Sequence, residues 1–399
     1  MNPLWEKFTR FCKETRQAFN IIQKKGPLTK NDLLIPFQTN LSTLNRIIEP
    51  LEKERLIVEA GIGESSGGRK PVLYDLNPKR FYILGLDISR PYTQMVLTNP
   101  KMDILYRDFF TMDETLTPQN TVGRIAELLT EALERLQIAP DLLLGIGLGT
   151  VGPMDRERGV LINPKNFAAP GWIGIPIKKL LQDQFELPVF VDNGANTAVL
   201  MESLYGQGRL FPNISYFNCS IGIRTGATSD GTIVRTIDNA EDAFGHMVID
   251  VKGESCDCGN HGCIECYSSI HAILRNYHTA VKIGRTSKIE KPLADIDYMD
   301  ICAAAEEGDD LSREVICNAA AFFGVGLTNY INLFNPGLVI LSGPLVSHSN
   351  LFYQMSTETA MKRIYSKEAN RIIFSKGGQF GDDAISLGAA AMVIEEALR

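Results

Sequence analysis

Between Gly245 and Ser269 the chain reads GHMVIDVKGESCDCGNHGCIECYSS, and this stretch restricts the fold more than any other. Cys256 and Cys258 flank a single residue, Cys263 follows four residues further on, and His246 stands ten residues ahead of Cys256. Three thiolates and an imidazole at that spacing let a short loop close around one tetrahedral Zn²⁺. Soft donors of this kind favour zinc over magnesium or calcium. Two neighbours compete as ligands, His261 inside the loop and Cys266 just after it. His246 is preferred because it reaches the loop from outside, whereas Cys266 is expected to open the next helix. With four protein ligands no coordination position is left for substrate, so the expected metal is structural. The alternative is that the cysteines are buried small hydrophobes or a disulfide pair. Compartment argues against the pair: the N-terminus MNPLWEKFTRFCKETRQ has no signal-peptide core, and no apolar run approaches the roughly 18 residues of a membrane span. A cytoplasmic protein with reduced thiols and no membrane partner is expected.

A chain of 399 residues exceeds the usual single core, so two or three domains are expected. The net charge of −7 is unevenly distributed. Residues 1–80 hold 14 Lys and Arg against 9 Asp and Glu, leaving 26 against 38 in the remainder. This is the pattern of a basic module joined to an acidic body.

The basic module reads as a winged helix-turn-helix. Phe8, Phe11, Cys12, Thr15, Phe19 and Ile22 mark one helix face, which Gly26 and Pro27 terminate. Thr29 and Asp32 form a capping-box-like start to a short helix expected to end near Pro36. Asn40 caps a third helix whose Leu44, Ile47, Ile48 and Leu51 face inward. Its outward face carries Ser42, Thr43, Asn45 and Arg46, side chains of the type that reach phosphates and base edges from the major groove. Pro50 is expected to kink or end this helix one turn early. Ile57 and Val58 begin a wing strand, a Gly- and Ser-rich turn carries Arg69 and Lys70, and VLYDL returns as the second strand. The predicted partner is duplex DNA, contacted by Asn40, Ser42, Thr43, Asn45, Arg46, Arg69 and Lys70.

The run GPLTKNDLLIPFQTNLSTLNRIIEPLEKERLIVEAGIGESSGGRKPVLYDLNP resembles, without a gap, the DNA-binding domain of the ROK family of repressors, open reading frames and sugar kinases. Its GESSGGRKP segment is characteristic of the repressor branch. In the body, the strands ILGLD, YTQMVLT and ILYRDFF precede an amphipathic helix near 121–137 and the strand LLLGIGLG. A second set of strands starts with ISYFNCSIGI, so the body is expected to be two α/β lobes. The motifs GTVGPMD, GWIGIPIKKLL, VDNGAN, CDCGNHGCIE, NPGLVILSG and GDDAISLGAA resemble, in order, the bodies of the ROK sugar kinases. The resemblance implies an α/β chain in which the winged module at 1–78 precedes a two-lobed, actin-like ATPase body. Its first lobe would span 79–192, with the helix 381–399 packing back on it, and its second would span 193–380 with the zinc loop.

The resemblance also implies a way to phosphorylate a sugar, and this chain departs from it. The general base belongs at the fourth position of Val-Asp-Asn-Asp, where this sequence has Val191-Asp192-Asn193-Gly194. The first phosphate loop should read Asp-x-Gly-Gly-Thr, but Asp87 is followed by Ile88-Ser89-Arg90-Pro91. The second, normally Gly-Thr-Gly-x-Gly, reads Gly222-Ile223-Arg224-Thr225-Gly226. Of the implied sugar ligands Asn193, His246 and Glu265 are present, whereas Ala243 replaces a Glu that Asp242 could supply only from one position away. Loss of a general base costs about 10²–10⁴-fold, and loss of phosphate positioning removes the main terms of phosphoryl transfer. The expectation is therefore a non-enzymatic, sugar-responsive repressor that binds a sugar or sugar derivative and acts as a homodimer or dimer of dimers. The alternative is an ATP-dependent sugar kinase carrying an N-terminal DNA-binding appendage. Arg224 and Arg90, standing where phosphate loops belong, make an anionic sugar a further option for the effector, against surface ion pairs as the alternative.

Overall fold

A computed structural model of the protein describes residues 3–63, 70–235, 241–365 and 372–399. The chain forms two compact units, one comprising 1–151, 155–192 and 386–399, the other 152–154 and 193–385. Among the described residues no helix is long and apolar enough to cross a membrane.

The first unit begins with the helices Pro3–Arg10, Lys13–Lys25, Lys30–Phe37 and Leu41–Lys53. The single N-terminal helix expected from the apolar spacing is in fact two, broken before Cys12. Packing explains the break: the Phe8 and Phe19 rings meet edge to face at 5.2 Å, yet eleven residues of continuous helix would separate them by about 16 Å. Thr29 and Asp32 make the capping box, Thr29 Oγ1 accepting from Asp32 N at 3.2 Å and Asp32 Oδ2 from Thr29 N at 2.8 Å. Pro50 does not shorten the helix Leu41–Lys53. Proline removes a single intrahelical hydrogen bond, while Leu44, Ile48 and Leu51 on the buried face are fully covered. The strands Ile57–Ile62 and Val72–Leu76 pair antiparallel, and a short strand Leu28–Thr29, not read from the sequence, joins Val72–Leu76 on its other edge.

The same unit holds a five-stranded sheet in the order Val189–Asn193, Leu143–Thr150, Tyr82–Ile88, Tyr92–Thr98, Ile104–Thr111. Two antiparallel pairings join the last three strands, and Leu143–Thr150 lies parallel to Tyr82–Ile88. The C-terminal helix Ala384–Ala397 lies directly on this sheet: a Cβ on Gly85 or Gly147 would overlap the carbonyl of Ser386 or Ala389. Only glycine permits that approach.

The second unit repeats the scheme. Its sheet runs Thr232–Ile233, Ile223–Ser229, Ile214–Cys219, Leu338–Ser342, Ile373–Lys376, with the second pairing antiparallel and Leu338–Ser342 parallel to Ile214–Cys219. Strand alternation sorts side chains to opposite faces. On one face Phe217, Val339 and Leu341 join Phe244, Ile264, Phe323 and Leu327 in the larger core. On the other, Ile214, Tyr216, Leu338 and Ile340 pack on Ala195, Ala198 and Val199 of the helix Gly194–Tyr205.

Candidate functional site

The cysteine-rich loop leaves a short 3-10 turn at Glu241–Phe244 and folds into a knuckle. Cys256 N donates to Asn260 O at 2.8 Å, Gly259 N returns to Cys256 O at 2.9 Å, and Ser255 bridges to His261. Gly262 is left-handed at φ +71°, and a Cβ there would overlap the Asp250 carbonyl, so the turn requires glycine. The ligand atoms of His246, Cys256, Cys258 and Cys263 all lie within 4.8 Å of one another. Cys256 Sγ is 3.5 Å from His246 Nδ1, and Cys258 Sγ is 3.7 Å from Cys263 Sγ. These match the edges of about 3.5–3.8 Å that a tetrahedron of zinc–sulfur and zinc–nitrogen bonds would have. The four donors thus fit one metal ion in number, chemistry and spacing. His261 and Cys266 are outside the set; Cys266 instead directs its thiol to Ser255 O at 3.7 Å, and burial pushes that thiol up to about 12.

The knuckle is tied to the second sheet through Glu265. Its backbone N donates to Gly245 O at 2.9 Å, and its carboxylate Oε2 accepts from Ile223 N at 3.0 Å. Glu265 is thereby tied both to Gly245, the residue before His246, and to the start of the strand Ile223–Ser229. Asn193, 1% exposed, caps the helix Gly194–Tyr205 by accepting from Ala195 N at 2.9 Å. At Gly194, a Cβ would lie 3.0 Å from the Arg224 Nη1 atom. The guanidinium of Arg224, a buried residue, therefore borders the space that a side chain at position 194 would enter. Ala243 lines a separate, mostly apolar cavity of about 210 Å³ with Thr225, Phe244, Met247, Tyr330 and Phe334. The Asp242 side chain lies outside the described residues.

In the first unit, Asp87 is buried, and its two carboxylate oxygens accept from Ser89 Oγ at 2.6 Å and Tyr92 Oη at 3.0 Å. Ser89 lies in the segment where the resemblance places the first phosphate loop, and Tyr92 follows that segment. Arg90 Nε donates to the Lys165 carbonyl at 2.7 Å, an alternative to the ion pair or anion contact considered from the sequence.

On the winged module, Asn40 accepts from Thr43 N at 2.9 Å and caps the helix that presents Ser42, Asn45 and Arg46 to solvent, with Thr43 half-buried. Lys70 is exposed, and Arg69 lies outside the described residues. Sequence reasoning missed Lys30, whose Nζ donates to Asn45 Oδ1 at 2.8 Å and stands over the Tyr74 ring at 5.0 Å. Fifteen residues separate the two partners, so no local spacing signals the contact. It also missed that Arg224 meets Gly194, thirty residues away.

The ROK family model matches residues 83–396. Over 391 residues the chain is 30% identical to the xylose repressor of Bacillus subtilis (strain 168), covering 97% of each protein. A solved ROK family transcriptional regulator, a homologue of the E. coli MLC protein, superposes with a TM-score of 0.80 at 24% identity over 97% of this chain and 96% of that one. The ROK family glucokinase from Streptomyces griseus, solved with glucose and AMPPNP, gives 0.66 at 23% identity, covering 78% of this chain and 98% of its own. The kinase likeness establishes the fold of the body, and the family match spans nearly all of it. The chain belongs to the ROK family.

Proposed function

We propose that this chain is a sugar-responsive, DNA-binding transcriptional repressor whose kinase-like body binds its effector without phosphorylating it. The observation that carries this reading is the pairing of Gly194 with a buried guanidinium: a donor borders the place where the family's kinases keep a proton acceptor. Asp87, engaged by Ser89 and Tyr92, adds a second departure at the first phosphate loop. The name of the xylose repressor supports the same function and makes xylose the first neutral sugar to try.

In this reading Ser42, Thr43, Asn45, Arg46, Arg69 and Lys70 contact duplex operator DNA, with Asn40 holding the start of their helix. Asn193, His246 and Glu265 serve the effector. His246, Cys256, Cys258 and Cys263 hold one Zn²⁺, which supplies structural cross-linking of the loop and no chemistry on the ligand. The protein acts as a homodimer or dimer of dimers, in keeping with the symmetry of palindromic operators. The test is a pair of measurements on the full-length protein. Operator affinity should change when a sugar is added, and a coupled assay should find no sugar-dependent ATP consumption. Turnover at a rate typical of sugar kinases would replace the repressor with the kinase alternative.

A further inference from the structure

Alternation along the strand Ile223–Ser229 gives the second sheet two different faces. Gly226 meets the Ala195 backbone, so its face packs on the helix Gly194–Tyr205. Thr225 and Ala227 point the opposite way. Thr225 pairs across the strands with Phe217, whose ring meets Phe244 at 4.7 Å and Tyr330 at 5.2 Å between centroids. On that face lies the cavity of about 210 Å³ bordered by Thr225, Ala243, Phe244, Met247, Tyr330 and Phe334. Thr225 is 7% exposed, and its Oγ1 atom is buried with no hydrogen-bond partner among the described residues. Leaving a hydroxyl dry and unmatched is unfavourable, and a ligand that reaches it would relieve the cost.

The remaining lining is aromatic or aliphatic. Tyr330 and Phe334 stack at 4.4 Å, Phe244 meets Tyr330 edge to face at 5.7 Å, and Ala243 adds only a methyl group. The Tyr330 hydroxyl is bonded to Ser215. Phe334 is 50% exposed, so the wall it forms reaches the surface and leaves an entrance. An ordered water needs about two to four polar partners, and these side chains offer one. A sugar would leave most of its hydroxyls unpaired against such a lining. The volume suits a single ring, since a dry apolar cavity of about 150 Å³ takes up benzene. Ring faces and edges favour an aromatic guest beyond the area it buries, and the Met247 thioether adds a sulfur contact. The Thr225 hydroxyl, donor and acceptor at once, calls for one polar group on that ring.

We propose that this cavity is a binding site for a small aromatic molecule carrying one hydroxyl group, with Thr225 as its hydrogen-bond partner. The site lies on the sheet face opposite the one that packs on the helix Gly194–Tyr205, and it does not depend on the reading of the body as a sugar sensor. Met247 connects it to the cysteine-rich knuckle. That residue follows His246 directly, and its backbone carbonyl accepts from Ile264 N at 3.0 Å. A guest packed on Met247 therefore borders the metal-binding loop.

The experiment follows the methionine methyl resonances of the full-length, metal-replete protein during titration with phenol, benzene and xylose, the Met247 signal being assigned through Met247→Leu. Phenol should shift the Met247 methyl saturably, with one-to-one stoichiometry by calorimetry. It should bind roughly 2- to 10-fold tighter than benzene, the range expected for one neutral hydrogen bond. Thr225→Val removes the hydroxyl at nearly constant shape, so it should erase the advantage of phenol and leave benzene bound, which separates the hydrogen bond from general loss of folding. Ala243→Leu should fill the space and abolish binding of both, with the thermal midpoint showing that this variant is folded. Absence of a saturable shift at Met247 would overturn the proposal. So would a preference for phenol that survives Thr225→Val, or phenol binding that persists in folded Ala243→Leu. Displacement of phenol by saturating xylose would overturn it as well, by assigning the cavity to the sugar.

Discussion

The pairing of Gly194 with Arg224 makes the lost kinase chemistry more than a missing base. A general base must stay able to accept a proton at neutral pH, and a carboxylate placed against a buried guanidinium is stabilised in its ionised, paired form. Gly194→Asp is therefore expected to leave sugar-dependent ATP turnover undetectable in a coupled assay, since the new carboxylate would engage Arg224 and Asp87 would still be held by Ser89 and Tyr92. Turnover from that single change would refute the argument. On the winged module the two basic residues differ in what they should do. Arg46, exposed on the outward face of its helix, should cost about 1–3 kcal/mol of specific operator binding when replaced by alanine if it reads a base. Lys70→Ala should instead weaken binding similarly on all sequences and flatten the salt dependence by about one counterion. Identical salt slopes for the two variants, with no change in sequence preference, would contradict this division.

At the scale of elements, the cysteine-rich knuckle holds Glu265 and, through it, the start of the strand Ile223–Ser229. Cys258→Ser is expected to lower metal content from about one Zn per chain by elemental analysis, because four ligands complete such a site. It should also release the Glu265 contact, so amide exchange at Ile223, which donates to that carboxylate, should accelerate. Full metal content after replacing Cys256, Cys258 and Cys263 together would show that other ligands are used. The loop was legible from sequence because its chemistry is local: four donors and the glycines that turn the chain lie within two dozen residues. The order of strands and helices was legible because alternating and helical apolar patterns are local too. What escaped was set by contacts distant in sequence. The break before Cys12 comes from Phe8 meeting Phe19 and Phe81, at 5.2 and 5.7 Å, and no spacing rule contains those rings. Pro50 obeys the propensity rule in losing a hydrogen bond, but the covered face of Leu44, Ile48 and Leu51 decides the outcome. The strand Leu28–Thr29 is two residues long, too short for any periodicity, and exists because Val72–Leu76 offers it an edge.

At the scale of the whole molecule, a repressor of this kind needs its effector site and its DNA-binding module to share free energy. The first unit contains the contacts through which they could do so. Trp5, in the first helix, stacks on Phe190 at 5.1 Å between ring centroids. Phe190 belongs to the strand Val189–Asn193, whose last residue is the proposed ligand contact Asn193. Beside it, Arg156 pairs with Asp192 and with Glu396, each at 3.2 Å, and the adjacent Glu395 pairs with Lys24 of the second helix at 3.2 Å. An effector that shifts Asn193 would act on a strand already in contact with the helices that carry the winged module. Truncating Trp5 should weaken that link while sparing the recognition helix, because Trp5 is only half-buried whereas Phe8, Phe19, Leu44 and Ile48 are fully covered. Trp5→Ala is therefore expected to retain most operator affinity without ligand and to lose much of the change in affinity that ligand produces. The readout is the ratio of operator Kd with and without effector, in parallel with the thermal midpoint. Coupling of this kind is typically worth about 1–3 kcal/mol, so the ratio should move from about 5- to 150-fold toward one. Phe190→Ala should reproduce the loss, and the double variant should add little, since both remove the same contact. A ratio that stays at the wild-type value in all three would show that the signal reaches the DNA-binding module by another route.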